Sequence, residues 1–165
     1  MNPPSIMVMG VGNVLLSDEG LGVRFLKELE QENLPGSVEL IEAGTAGLEL
    51  VYLIQEVDFL IIVDAVNAKS KPGAIFRFRP GDIRMYPDMF EVSFHQVGIL
   101  EVLTMSNILG NSPQTLVYGV QPKSLEWGLE LSEEITAAFL RLKEYILRDI
   151  DHINLKSEFP ENIAE

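Results

Sequence analysis

Two acids and one imidazole are the residues of this chain whose types could do chemistry together: Glu19, Asp64 and His95. Glu19 stands near the end of the stretch Gly10-Val11-Gly12-Asn13-Val14-Leu15-Leu16-Ser17-Asp18-Glu19-Gly20. Asp64 directly follows the apolar run Phe59–Val63 (FLIIV). His95 stands in Ser93-Phe94-His95-Gln96, between a polar loop and a helical pattern. Singly, each has a plain structural reading. Asp18 and Glu19 favour the positive end of a helix. Asp64 can bond to turn amides, and a lone histidine is more often structural than catalytic. Together the three form a set that can bind a divalent transition metal, because imidazole suits nickel or zinc and carboxylates supply oxygen ligands. Three protein ligands leave positions open for water or substrate. Asp18 is a neighbouring acid or base, although a helix cap is the simpler reading for it. The other histidine, His152, falls past the long final helical pattern, where a solvated side chain is expected.

Other chemistries fit less well. Gly10-Val11-Gly12 after a strand invites a dinucleotide-binding reading, and with it a nucleotide-dependent oxidoreductase. The full fingerprint needs a third small residue where Leu15 stands, and the helix starts too late to hold a pyrophosphate. There is no HExxH zinc-protease motif and no GxSxG elbow. The chain has no cysteine, which excludes disulfides, thiolate nucleophiles and cysteine-zinc sites, and suits the cytosol. A net charge of −13 argues against a nucleic-acid partner and favours a cation or a basic peptide. The apolar runs are strand-sized, so no membrane span is expected.

These residues need elements to position them. Apolar runs predict strands at Ile6–Val11, Val38–Ile41, Phe59–Val63, Ala74–Phe78 and Leu116–Val120. Helical spacing marks Leu21–Glu32, a segment ending near Gln55, Gln96–Leu109 and the amphipathic stretch from Ile135 to Ile146. Ser132 with Glu133 and Glu134 reads as the N-cap of that last helix. Residues 79–94 read as a polar loop. The order predicts an α/β fold, a three-layer α/β/α sandwich on a mostly parallel sheet of about five strands. The 165 residues form one domain, with 1–4 and about 155–165 flexible. In such folds ligands bind beyond the carboxyl ends of the strands, which directs attention to Gly12–Glu19, Glu42–Gly47, Asp64–Asn67 and the segment before His95.

The chain resembles the hydrogenase maturation endopeptidases, which trim the C-terminal extension of the nickel-iron hydrogenase large subunit. The likeness spans roughly Ile6 to Arg148. It is carried by the Gly10–Gly20 stretch, then Ala43-Gly44-Thr45-Ala46-Gly47, Ile61-Ile62-Val63-Asp64-Ala65, His95-Gln96-Val97-Gly98 and Gly119-Val120-Gln121-Pro122, in that order. Glu42 stands where relatives often carry Asp. The resemblance implies that Glu19, Asp64 and His95 coordinate a metal and carry catalysis. The metal would be nickel already inserted in the large-subunit precursor, so that cleavage follows only after nickel loading. A cytoplasmic endopeptidase is the expectation. The alternatives are the nucleotide-binding oxidoreductase and a chaperone that holds the nickel-loaded precursor without cutting it.

Overall fold

The computed structural model describes residues 2–85 and 94–161, with side chains for all of these except 83–85 and 94–97. The strands are β1 (Ile6–Val11), β2 (Val38–Gly44), β3 (Phe59–Ala65), β4 (Ile75–Phe78) and β5 (Gln114–Val120). The helices are α1 (Leu21–Glu30), α2 (Leu50–Ile54), α3 (Pro80–Met85), α4 (Phe94–Ile108) and α5 (Glu133–Lys156). One sheet holds all five strands in the order β2-β1-β3-β5-β4. β1 pairs in parallel with both β2 and β3, and β3 with β5, while β4 runs antiparallel to β5.

Alternation along β1 explains the layers. Ile6 and Val8 face one side of the sheet and Met7 and Met9 the other, as side chains in a strand must. The first face packs on α1 and α5 through Phe25, Leu26, Leu142 and Ile146. The second packs on α2 and α4 through Leu50, Ile54, Ile99 and Val102. A sheet covered on both faces needs strands apolar on both faces, which is why β1 and β3 read as continuous hydrophobic runs. The chain leaves β1 for β2 on one side and reaches β3 on the other. The carboxyl ends of β1 and β3 therefore flank the point where the winding reverses, where α/β sheets open a crevice.

Three expectations change. The stretch read as a polar loop contains α3, and α4 begins at Phe94, so His95 lies in its first turn. Residues 86–93 lie outside the described residues. His152 lies inside α5, which runs to Lys156; it is half-buried, and its Nε2 is buried without a hydrogen-bond partner among the described residues. The amphipathic pattern continues through Ile150 and Ile153, both buried, and carries the helix past His152. Residues 155–158 are exposed, but Phe159 and Pro160 beyond them are packed. Ser157 adopts a left-handed conformation (φ 55°) and turns the chain back. Phe159 is then buried edge-on to Phe59 at 5.2 Å between ring centres, and the Pro160 carbonyl accepts a hydrogen bond from Arg77 at 3.3 Å.

One polar cluster crosses the α5 face. Asp149, fully buried on α5, accepts hydrogen bonds from the Tyr118 hydroxyl of β5 and from Nε of Arg77 at 3.3 Å. It ties the longest helix to the two strands at that edge of the sheet. Among the described residues no helix is long and apolar enough to cross a membrane.

Candidate active site

The site is built at the carboxyl ends of β1 and β3. β1 ends in Gly10-Val11-Gly12, where its pairing with β2 shifts register, and the Gly12 amide donates to the Gly44 carbonyl at 2.8 Å. Gly12 has φ +126°, a conformation that side chains rarely tolerate. A Cβ there would sit 1.9 Å from the Glu19 carbonyl oxygen and 3.7 Å from Oδ1 of Asp64. Gly12 is thus the point where the loop carrying Glu19 closes on the aspartate of β3. Gly22, in the first turn of α1, plays a matching part. A Cβ on it would lie 2.2 Å from the Val63 carbonyl and 2.5 Å from that of Val11, so only glycine lets α1 lean on both strand ends.

Asp64 lies within β3, one residue before its end, with 2% of its surface exposed. Its Oδ1 accepts the amide of Ala65 at 2.8 Å, which orients the carboxylate. A small cavity of about 20 Å³, lined by Ile62, Phe78, Pro80 and Ile99, adjoins it. Its size suits about one water. The loop after Asp64 is held by Gln121, whose Oε1 accepts the amides of Ala68 (2.8 Å) and Ser70 (3.2 Å). Its Nε2 donates to Oδ1 of Asn67 at 3.2 Å. Gln121 belongs to the Gly119-Val120-Gln121-Pro122 motif, but sequence reading assigned it no role. A polar residue ending an apolar strand just before proline was the available signal.

Glu19 sits half-buried in a one-turn 3-10 segment, Ser17–Gly20, that packs on β3. Asp18 reads from sequence as a cap of the helix that follows. No side-chain cap bond forms at either the turn or α1. Asp18 is fully buried and turns the other way, accepting four hydrogen bonds from the β5–α5 connection. Its Oδ2 takes the amides of Lys123 (2.9 Å) and Ser124 (3.1 Å) and the Ser132 hydroxyl (2.8 Å), and its Oδ1 takes the Ser132 amide (2.7 Å). Ser132 does occupy the N-cap position of α5, but its hydroxyl is spent on Asp18 and not on the helix. Burial pushes the Asp18 carboxyl up, yet the amides of Ser132, Ser124 and Lys123 and the Ser132 hydroxyl outweigh it and hold the pKa below its ordinary value. The resulting carboxylate is a fastener for the Glu19 loop.

Of the residues singled out from sequence, the Glu19 main chain and the Asp64 carboxylate both lie against Gly12. His95 lies in the first turn of α4, and its side chain is outside the described residues. Among the described side chains, which therefore exclude His95, no three His, Asp or Glu groups gather as a metal site. Glu42 is exposed near the end of β2, and Gly44 beside it has φ +55°. What stands at the crevice is a buried carboxylate, the turn that carries the half-buried Glu19, and a small apolar recess.

The fold is that of an α/β class whose solved relatives are endopeptidases. The E. coli hydrogenase maturating endopeptidase HybD superposes with a TM-score of 0.82 at 36% identity, covering 90% of this chain and 93% of that one. A hydrogenase 2 maturation peptidase from a Thaumarchaeota archaeon superposes with a TM-score of 0.66 at 30% identity, covering 87% and 96%. In sequence, the hydrogenase 2 maturation protease of E. coli K12 is 40% identical over 147 residues, 86% of this chain and 88% of that protein. The HupD protein of Bradyrhizobium diazoefficiens is 37% identical over 133 residues, covering 79% and 69%. The hydrogenase maturation protease family model matches residues 23–149. The chain belongs to the hydrogenase maturation protease family, and it is an endopeptidase.

Proposed function

We propose that this protease removes the C-terminal extension of a nickel-iron hydrogenase large-subunit precursor, and that Glu19, Asp64 and His95 grip the nickel ion which the substrate brings with it. The observation that carries the reading is that the main chain of Glu19 and the carboxylate of Asp64 both close on Gly12 at the switch point of the sheet. A buried carboxylate beside the turn that carries a second acidic residue favours a cation there, and His95, in the first turn of α4, is proposed as the third ligand. Because the protein contributes few ligands, free nickel binds weakly, and only a precursor that already holds nickel completes the coordination. Cleavage is thereby made conditional on metal insertion.

Hydrolysis by water is the chemistry that carboxylates and an imidazole serve. Nickel polarises the scissile carbonyl, or nickel docks the precursor and a carboxylate takes the proton from water. Loading the precursor with zinc separates the two: the rate changes in the first case and stays the same in the second. The test of the whole reading is mass spectrometry of nickel-loaded and nickel-free precursor after incubation with the protease. Shortening of the loaded form alone is expected. An intact loaded precursor would point to a chaperone, and equal cleavage of both forms would remove nickel from the reading. The compartment proposed is the cytoplasm, as the lack of cysteine suits.

A further inference from the structure

The outer side of the Glu19 loop continues into an exposed apolar patch. Leu15 is 48% exposed, Leu125 49%, Trp127 80% and Leu129 63%. Trp127 is the chain's single tryptophan. Scattered exposed hydrophobics are ordinary, but these four come from two segments held side by side. The Ser17 amide donates to the Gly128 carbonyl at 2.9 Å, and the Gly128 amide donates to that of Leu15 at 2.9 Å. The Ser17 hydroxyl donates to the Glu126 carbonyl at 2.8 Å, and the Arg24 guanidinium donates to that of Leu129. A Cβ on Gly128 would lie 2.7 Å from Oγ of Ser17, so glycine lets the segments approach. Asp18 pins the start of the same connection through Lys123 and Ser124. The backbone beneath Trp127 is therefore fixed while its ring stands in solvent.

Such a surface is organised for binding before a partner arrives, which lowers the ordering cost of association. Tryptophan is the side chain most often found at the energetic centre of an interface. The rim is acidic: Glu126 and Glu130 are exposed, and the ammonium of Lys123 is neutralised by Glu134 at 2.8 Å. We propose that Leu15, Leu125, Trp127 and Leu129 form the docking surface for the folded body of the protein substrate, and that they receive an apolar area rimmed by Lys and Arg. This rests on the function proposed above. Two features choose the occupant. Leu15 and Glu19 share one loop, so a protein seated on the patch lies at the mouth of the site. A second copy of this chain would set acidic rim against acidic rim, which costs affinity.

The test uses the full chain and the nickel-loaded large-subunit precursor of the same organism's hydrogenase. Processing rates are measured against precursor concentration for the wild type, Trp127→Ala and Leu125→Ser/Trp127→Ala, all changed at exposed positions. Binding of precursor to uncleaving Asp64→Asn, with and without Trp127→Ala, is followed by surface plasmon resonance. A KM and Kd raised tenfold or more, with kcat within twofold of wild type, are expected. Glu126→Lys/Glu130→Lys should also raise KM. Unchanged KM in the Trp127 variants, or a fall in kcat alone, overturns the docking surface. So does a wild-type dimer in sedimentation that Trp127→Ala makes monomeric. A wild type that leaves the precursor whole overturns the proposed function instead, and the binding arm still reports on the patch.

Discussion

Asp18 and Ser132, 114 residues apart, are joined twice: the Ser132 amide donates to Oδ1 at 2.7 Å and its hydroxyl to Oδ2 at 2.8 Å. This pair fastens the loop before Glu19 to the start of α5. It makes the position of a proposed metal ligand depend on a segment from the far end of the chain.

Asp18→Ala leaves buried donors of Lys123, Ser124 and Ser132 unmatched. A loss of about 3 kcal/mol is expected, because each hydrogen bond to a charged acceptor counts for about 1.5–3 kcal/mol and part is regained by water. Urea midpoints measure it. The pH dependence has a definite sign. The folded-state pKa lies below the unfolded one, so this stabilisation is full above about pH 4 and is lost as pH falls through the folded value. The stability gap between wild type and Asp18→Ala should therefore shrink in acid. A gap that is constant down to about pH 2 would refute the fastening role.

Glu19→Gln, Asp64→Asn and His95→Ala should each abolish precursor processing while circular dichroism and melting behaviour stay near wild type. Full activity in any two would defeat the assignment of the site. His152→Ala, near the C-terminal end of the last helix, is expected to process at the wild-type rate.

Gly12→Ala places a methyl group 1.9 Å from the Glu19 carbonyl, in a backbone conformation of φ +126°. The Glu19 loop must move away from Asp64. Processing should drop at least tenfold, together with a stability cost of about 1–3 kcal/mol for the strained backbone. A wild-type rate would mean that the approach of these two segments is irrelevant to activity.

Tyr118→Phe takes the hydroxyl from buried Asp149 and is expected to cost about 1.5–3 kcal/mol. Burial first, then the charge and hydrogen bond of Asp149, push the phenol well above its ordinary pKa, with Arg77 opposing. The raised folded value means this contribution is complete below about pH 10 and erodes as pH climbs further. Thermal melts should show the two proteins converging in strong alkali. Parallel curves there would count against the buried pair.

The fold was legible in the sequence because its signals are local. FLIIV, too short for a typical helix and β-branched at its centre, reads as a strand buried on both faces, and alternating strand and helix patterns indicate a sheet covered on two sides. The motifs around Glu19, Asp64 and His95, read in order, were also enough to indicate the family, as the matches confirm. The lower end of the chain misled because a helix terminus depends on what it packs against: buried Ile150 and Ile153 carry α5 past His152, and Phe159 returns to meet Phe59.

What the order of residues could not contain was their partners. Asp18 followed by Glu19 looks like a capping pair, and only the approach of the β5–α5 connection turns Asp18 into an anchor for Ser132. The run Leu125-Glu126-Trp127-Gly128-Leu129 shows no surface role in the order of residues until Gly128 is seen against Ser17. Periodicity is a property of neighbours along the chain. Hydrogen bonds between segments more than a hundred residues apart arise only when the core brings them together, and in this protein those bonds hold the Glu19 loop against the β5–α5 connection.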